Sequence, residues 1–258
     1  MRSLLGFTTL SSVLVFALAA CDSSADLPDE SASGFVDTAT ADKGTDAVND
    51  EYAYFEISAD LRKCAWPVCG GWFVNRLNQS LTRCHDGRYA PTCYTPVLDW
   101  SEIKLSDSKK DVLLDACYKG AVSQGVFAIV SGRLDPLNST TLIPTMGQFV
   151  IHEAWVAVNE AVSSGAFVRV KDNGIRCITS PCPSVTEETL NMPQIADISA
   201  IDWKPGKFSE EQIGACIDWM STTDGLLIAG NRYTVADKGS FAIARTATAA
   251  YYQLTDAQ

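Results

Sequence analysis

Five short blocks of this chain occur twice in the same order, and that recurrence limits the possible folds more than any other feature, because a repeated unit is built twice on one plan. The run from Tyr54 to Cys64, with Pro67 and Cys69 beyond it, matches Phe167 to Cys177, followed by Pro181 and Cys182. In each copy a basic residue, Lys63 or Arg176, precedes the first cysteine and four residues separate the pair. Leu98-Asp99-Trp100 then matches Ile201-Asp202-Trp203, and Asp115-Ala116-Cys117 matches Gly214-Ala215-Cys216. Val126 to Ile129 matches Leu226 to Ala229, and Gly147 to Ile151 matches Gly239 to Ile243. The chain therefore reads as two copies of one unit, 52–164 and 165–258, the first carrying an insertion that holds Cys84 and Cys93.

Within the unit, Tyr54 to Ser58, Trp72 to Leu77, Val126 to Ser131 and Gln148 to Val156 are rich in β-branched and aromatic residues and bounded by Gly, Pro, Asn or Asp, as strands are. One helix lies between them. Ser108 with Asp111 and Ser209 with Gln212 have capping-box spacing. Leu114, Cys117, Tyr118 and Ala121 correspond to Ile213, Cys216, Ile217 and Met220, both sets at i, i+3, i+4, i+7, which predicts one buried face per helix. The expected class is α+β: a tandem duplication of a unit with an antiparallel sheet and one helix, the copies sharing a sheet or packing as pseudo-twofold partners.

Ahead of the repeats, Met1 and Arg2 precede an apolar run from Leu4 to Ala20, the pattern of a secretory signal spanning 1–20. Leu18-Ala19-Ala20-Cys21 resembles the lipobox of bacterial lipoproteins, which implies diacylglycerol on the Cys21 thiol and a stable membrane anchor. Asp22 resembles an inner-membrane retention signal found in some bacteria, and leaves open which membrane of the cell envelope is meant. Between Asp22 and Glu51 stand nine acidic residues against one lysine, with few large apolar side chains. Residues 21–51 are thus expected to form a disordered tether, spanning on the order of 30 Å. Without the signal and tether the chain holds 18 basic and 22 acidic residues and no basic stripe, so nucleic acid is not an expected partner.

Eight cysteines remain after Cys21, an even number that suits four disulfides in an oxidising compartment. Cys84 and Cys93 occur only in the insertion and pair most simply with each other. The symmetric solution adds Cys64–Cys69, Cys177–Cys182 and a bond between units, Cys117–Cys216; linking Cys64 and Cys69 to Cys84 and Cys93 is the alternative. A C-x4-C pair exceeds usual zinc-finger spacing, so neither metal nor cofactor is expected.

No nucleophile-elbow, phosphate-binding or calcium-loop motif is present, and His85 and His152 stand in no catalytic signature. Asp99-Trp100 and Asp202-Trp203 recur, as fold determinants do, with tryptophan in the core and aspartate at a turn. The remaining candidates are the disulfide-closed, proline-stiffened loops bearing Trp66 and Pro67, and Ile178, Thr179, Ser180 and Pro181. Such loops lose little entropy on binding. The lipobox, the repeated R/K-C-x4-C motif, Gly70-Gly71 and the stretch from Asp172 to Ser184 together resemble an uncharacterised domain-of-unknown-function family of bacterial lipoproteins, a resemblance that brings no activity with it. The expected function is a non-enzymatic envelope module binding a protein or other envelope ligand. Two other readings stand beside it: an exported hydrolase with a carboxylate site not visible in sequence, and a protease inhibitor using the Cys177–Cys182 loop.

Overall fold

A computed structural model describes residues 52–137, 146–237 and 239–256. The signal segment, Cys21 and the tether lie outside the described residues. The expected α+β class does not hold: strand accounts for 42% and helix for 16%, so the fold is mostly β. Each half does carry one α-helix, but the short strands of the insertion and of the second half carry no clean alternation and escape sequence reading.

The first half comprises β1 (Ala53–Ala59), β2 (Trp72–Arg76), β3 (Thr82–Arg83), β4 (Tyr89–Ala90), β5 (Cys93–Thr95), β6 (Val97–Asp99), α1 (Asp107–Ser123), β7 (Ala128–Pro136) and β8 (Gly147–Ala157). The second comprises β9 (Ala166–Asp172), β10 (Val185–Thr189), β11 (Ile195–Ile198), β12 (Ile201–Asp202), a 3-10 turn (Lys204–Gly206), α2 (Glu210–Met220), β13 (Leu226–Gly230), β14 (Arg232–Asp237), β15 (Ser240–Thr246) and β16 (Ala249–Gln253). One curled sheet runs β11-β10-β9-β13-β16-β8-β7-β1-β2-β5, antiparallel along this path, with β6 added parallel to β8. Outward from the β16–β8 seam the order is β8, β7, β1, β2 on one side and β16, β13, β9, β10 on the other. Trp155 faces Ile129 as Tyr251 faces Leu227, and at the seam Tyr251 pairs with Ala157, Tyr252 with Val156 and Gln253 with Trp155. An approximate twofold axis therefore passes between Val156 and Tyr252.

Alternate side chains point to opposite faces of a strand. On one face Phe55, Ile57, Val74, Val130 and Phe149 pack beneath α1, while Val168, Val170, Leu226 and Ile228 pack beneath α2. The other face holds a cluster common to both halves, with Leu77, Ile129 and Trp155 against Leu190, Leu227 and Tyr251. In α2 the expected capping box forms, Ser209 and Gln212 each accepting from the other's backbone amide. In α1 the helix begins two residues earlier than Ser108 suggests: Ser106 is the N-cap, and its hydroxyl donates to Asp256 rather than capping its own helix. Its buried stripe is Leu113, Cys117 and Gly120, leaving the expected Tyr118 exposed; α2 buries Cys216 and Met220 but exposes Ile217.

Two asparagines lock the curled sheet. Asn191 accepts from the Tyr54 amide at 2.8 Å and donates to the carbonyls of Tyr54 and Leu77 at 2.7 and 2.9 Å. Asn78 accepts from the Phe167 amide at 2.9 Å and donates to the carbonyls of Phe167 and Leu190 at 2.7 and 2.9 Å. Each half thus clasps the first hairpin of the other through the same three bonds, and both asparagines hold positive φ, 58° and 60°, a conformation asparagine tolerates better than most residues.

Strand pairing also corrects two of the sequence matches. Val130 faces Phe55 as Ile228 faces Val168, so Ala128 to Ser131, not Val126 to Ile129, corresponds to Leu226 to Ala229. Phe149 pairs with Leu98 and Leu134 as Arg245 pairs with Ile201 and Arg232, so Phe149 corresponds to Arg245, not to Phe241. The slips are of two and four residues, both even, and an even slip leaves every side chain on its own face. In this register Gly132 and Gly230 coincide: a Cβ on either would lie 2.0 or 1.7 Å from the carbonyl oxygen of Val150 or Thr246. Only glycine permits the hairpin to bend there.

The corrected register exposes a substitution of chemistry at one buried place. Where the first half has Val74, Leu134 and Phe149, the second has Glu187, Arg232 and Arg245. Arg245 donates to both carboxylate oxygens of Glu187 and, at 2.6 Å, to the Gly230 carbonyl, while Arg232 donates to Glu187 from the rim. Glu187 and Arg245 are 0% and 1% exposed.

Asn78→Ala or Asn191→Ala is expected to cost about 3 kcal/mol, since each removes three hydrogen bonds to backbone groups of the other half at about 1 kcal/mol net apiece. Asn→Gly at either position keeps the positive φ and isolates the hydrogen-bond loss. Denaturant unfolding reads both, and a cost under about 1 kcal/mol would show the clasps to be incidental. Glu187→Ala is expected to cost about 3–5 kcal/mol, whereas converting Glu187, Arg232 and Arg245 together to Val, Leu and Phe is expected to be neutral or stabilising by up to about 4 kcal/mol. A triple variant as unstable as the single one would show that the second half cannot accept the apolar solution of the first.

Candidate functional site

Cys64 is bonded to Cys69, Cys84 to Cys93 and Cys177 to Cys182. The expected Cys117–Cys216 bond is absent, and both thiols are free and buried. Each cysteine lies on the inner face of its own helix, Cys117 in the core beneath α1 and Cys216 in the core beneath α2, so neither points across the twofold. Burial raises both thiol pKa values, that of Cys216 to about 12, which removes them from thiolate chemistry at neutral pH.

The two disulfide loops do not form one site. They follow β1 and β9, which run in opposite directions in the sheet, and so leave it at opposite ends. The first loop is pinned. The buried Asp60 receives a bidentate Arg62, whose guanidinium lies over the rings of Phe73 and Tyr94 at 5.2 and 5.4 Å and also reaches the Val68 carbonyl. Tyr94, supplied by the insertion, donates to the Pro67 carbonyl at 2.8 Å. Trp66 and Val68 remain exposed at the loop surface.

The second loop has fewer supports. Arg176 forms a bidentate pair with Asp172 at 2.9 and 2.6 Å, and Asn173 donates to the Pro183 carbonyl. Ile178 stands fully exposed. Between this loop and α2 opens a cleft of about 420 Å³ floored by Ile175, Val185, Ile201, Trp203, Ile217 and Met220. In the first half Trp72 and Tyr118 take the places of Val185 and Ile217, edge to face with centroids 6.3 Å apart. Their bulk fills the space that two smaller aliphatic residues leave open.

The other sequence candidates take structural places. Asp99 and Asp202 accept from the amides of Ser101 and Lys204 at turns, while Trp100 and Trp203 pack against the cores of their halves. His152 stacks on Tyr52 with centroids 4.1 Å apart, and His85 packs closely against Gly147. A polar group unforeseen from sequence lies beside the common core: Glu153 accepts from Tyr54 at 2.7 Å, Arg169 at 3.0 Å and Trp155 at 3.2 Å. Burial and the Glu153 charge hold the Tyr54 phenol well above its ordinary pKa. Its members come from three separate strands, and no spacing in the chain announces it. Among the described residues no three His, Cys, Asp or Glu side chains converge as metal ligands.

The Asp172 carboxyl is drawn down to about 2, chiefly by the Arg176 guanidinium and then by the Gly174 amide. A depressed carboxylate contributes stability above its unfolded pKa and loses it as pH falls through the folded value. The loop clamp is therefore expected to hold at neutral pH and to release between about pH 4 and pH 2. Arg176→Ala should return the Asp172 midpoint toward roughly 3.9. Carboxyl titration by NMR reads the midpoint, and an unmoved value would remove Arg176 as the clamp.

No curated protein and no solved structure matches this chain. Residues 53–257 match a family described as a domain of unknown function, DUF6748, a single match that spans both halves of the fold. Covering nearly all the described residues, that match establishes that the chain belongs to the DUF6748 family.

Proposed function

We propose that this chain is an exported, lipid-anchored protein of the bacterial cell envelope, and that its folded part is a non-enzymatic binding module built from two copies of one unit. The signal pattern and the lipobox ending at Cys21 support the address, and the acidic stretch to Glu51 supports a tether. The observation that carries the binding reading is the apolar cleft between the Cys177–Cys182 loop and α2, beside a fully exposed Ile178. An isoleucine left wholly in water on a loop held by a disulfide and an ion pair gains nothing from folding. It gains by being covered, and the loop pays little entropy to be covered.

A photo-reactive benzoylphenylalanine in place of Ile178 is expected to crosslink to a ligand in intact cells, and Ile217→Lys to abolish the adduct. Cys21→Ser should move the protein from the detergent phase to the aqueous phase on partition. An adduct indifferent to Ile217→Lys would separate the loop from the cleft, and turnover of esters, glycosides or peptides by the purified protein would replace binding with catalysis.

A further inference from the structure

We infer that the cleft receives an extended cationic peptide, with one bulky apolar side chain seated over Ile217 and Met220 and flanking lysines or arginines on the carboxylates of α2. This rests on the binding-module reading and names the ligand class of the same site. Glu210, Glu211, Asp218 and Asp224 all lie on α2 or the turn after it, all are exposed, and that stretch contains no lysine or arginine. Among the described residues none of the four has an ion-pair partner. The one basic side chain lining the cleft, Arg176, is already held by Asp172.

The helical spacing aligns these charges with the apolar floor. Glu210, Gly214, Ile217 and Ser221 fall at i, i+4, i+7 and i+11, a single stripe, and Glu211 and Asp218 run beside it at i and i+7. Gly214 would meet nothing within 4 Å if it bore a Cβ, so the stripe stays open from the cleft toward Glu210. Helix stability explains only half of the acid. Carboxylates in the first turn complement the positive end of the helix dipole, as Glu210 and Glu211 do. Asp218 lies near the opposite end, where a negative charge is unfavourable, and the last turn has no basic residue to offset it.

The first half lacks the combination. The positions of Gly214, Ile217 and Asp218 are taken there by Asp115, Tyr118 and Lys119, and Lys119 is paired with Glu160. Acid beside an open apolar cleft is thus a property of the second half alone. A cationic ligand would gain long-range attraction from such a rim, and that part of its affinity would weaken with salt.

The test is fluorescence anisotropy on the full exported chain in detergent micelles, with a labelled peptide repeating Gly-Lys-Trp-Lys and its counterpart repeating Gly-Glu-Trp-Glu. The cationic peptide should bind at least about tenfold tighter, and lose most of that margin as ionic strength rises from low to molar, where screening is nearly complete. Glu210→Gln with Asp218→Asn, both exposed substitutions, should erase the preference, while Ile217→Lys should abolish binding of either peptide. Equal binding of both peptides that Ile217→Lys abolishes would overturn the cationic ligand and leave the cleft as a binding site. Failure of both peptides to bind would overturn both readings. Binding of the unanchored Cys21→Ser chain to phosphatidylglycerol vesicles, lost in Ile217→Lys and with no peptide preference, would replace the peptide with an anionic lipid surface.

Discussion

The paired bonds of Asn78 and Asn191 hold together what the rest of the fold only arranges. A curled sheet of this length has its first hairpins far apart along the strand order, β1 and β2 on one side of the seam, β9 and β10 on the other. The asparagine clasps join those hairpins directly, each bonding an amide and two carbonyls of the other half's hairpin. Buried backbone groups must find partners, and here the partner comes from the other half in both directions. The common core of Leu77, Trp155, Leu190 and Tyr251 lies on the face enclosed by these contacts, so its burial depends on them.

The two halves show how far chemistry can drift while backbone geometry stays put. Gly132 and Gly230 keep the same bend because a carbonyl oxygen occupies the space of any side chain. A few residues away, Val74, Leu134 and Phe149 give way to Glu187, Arg232 and Arg245 without a change of strand order. Both solutions fill the place. The charged one requires every donor and acceptor to be met, and Arg245 meets this by adding a bond to the Gly230 carbonyl. The apolar one requires only shape.

Divergence of the same kind separates the loops. The insertion that brings Cys84, Cys93 and Tyr94 secures the first loop, and the Trp72–Tyr118 pair fills the ground beneath it. Where the second half has Val185 and Ile217, the ground is open and the loop stands over it with Ile178 outward. Loss of aromatic volume and loss of an internal tyrosine tie are small steps in sequence, yet together they turn a braced corner into a cleft.

Much of this was legible beforehand, and the limit falls where periodicity stops informing. The β1 and β9 segments, the α2 capping box and the close spacing of each C-x4-C pair are local, and local chemistry decides them. The asparagine clasps left a trace that could have been read: Leu77-Asn78 and Leu190-Asn191 stand 113 positions apart, as do Tyr54 and Phe167. Alternation could not settle the matches of β7 and β8, because even slips leave each residue on its face. Short strands without alternation hid the mostly β character. By itself the sequence determined the repeated segments, the helix positions to within a turn and the family. Tertiary structure alone decided the strand order, the isolation of Cys117 from Cys216, the buried Glu187 and Arg245, and the opening of a cleft in one half. Each of these depends on which side chain lies opposite which across strands distant in the chain, and no local spacing carries that information.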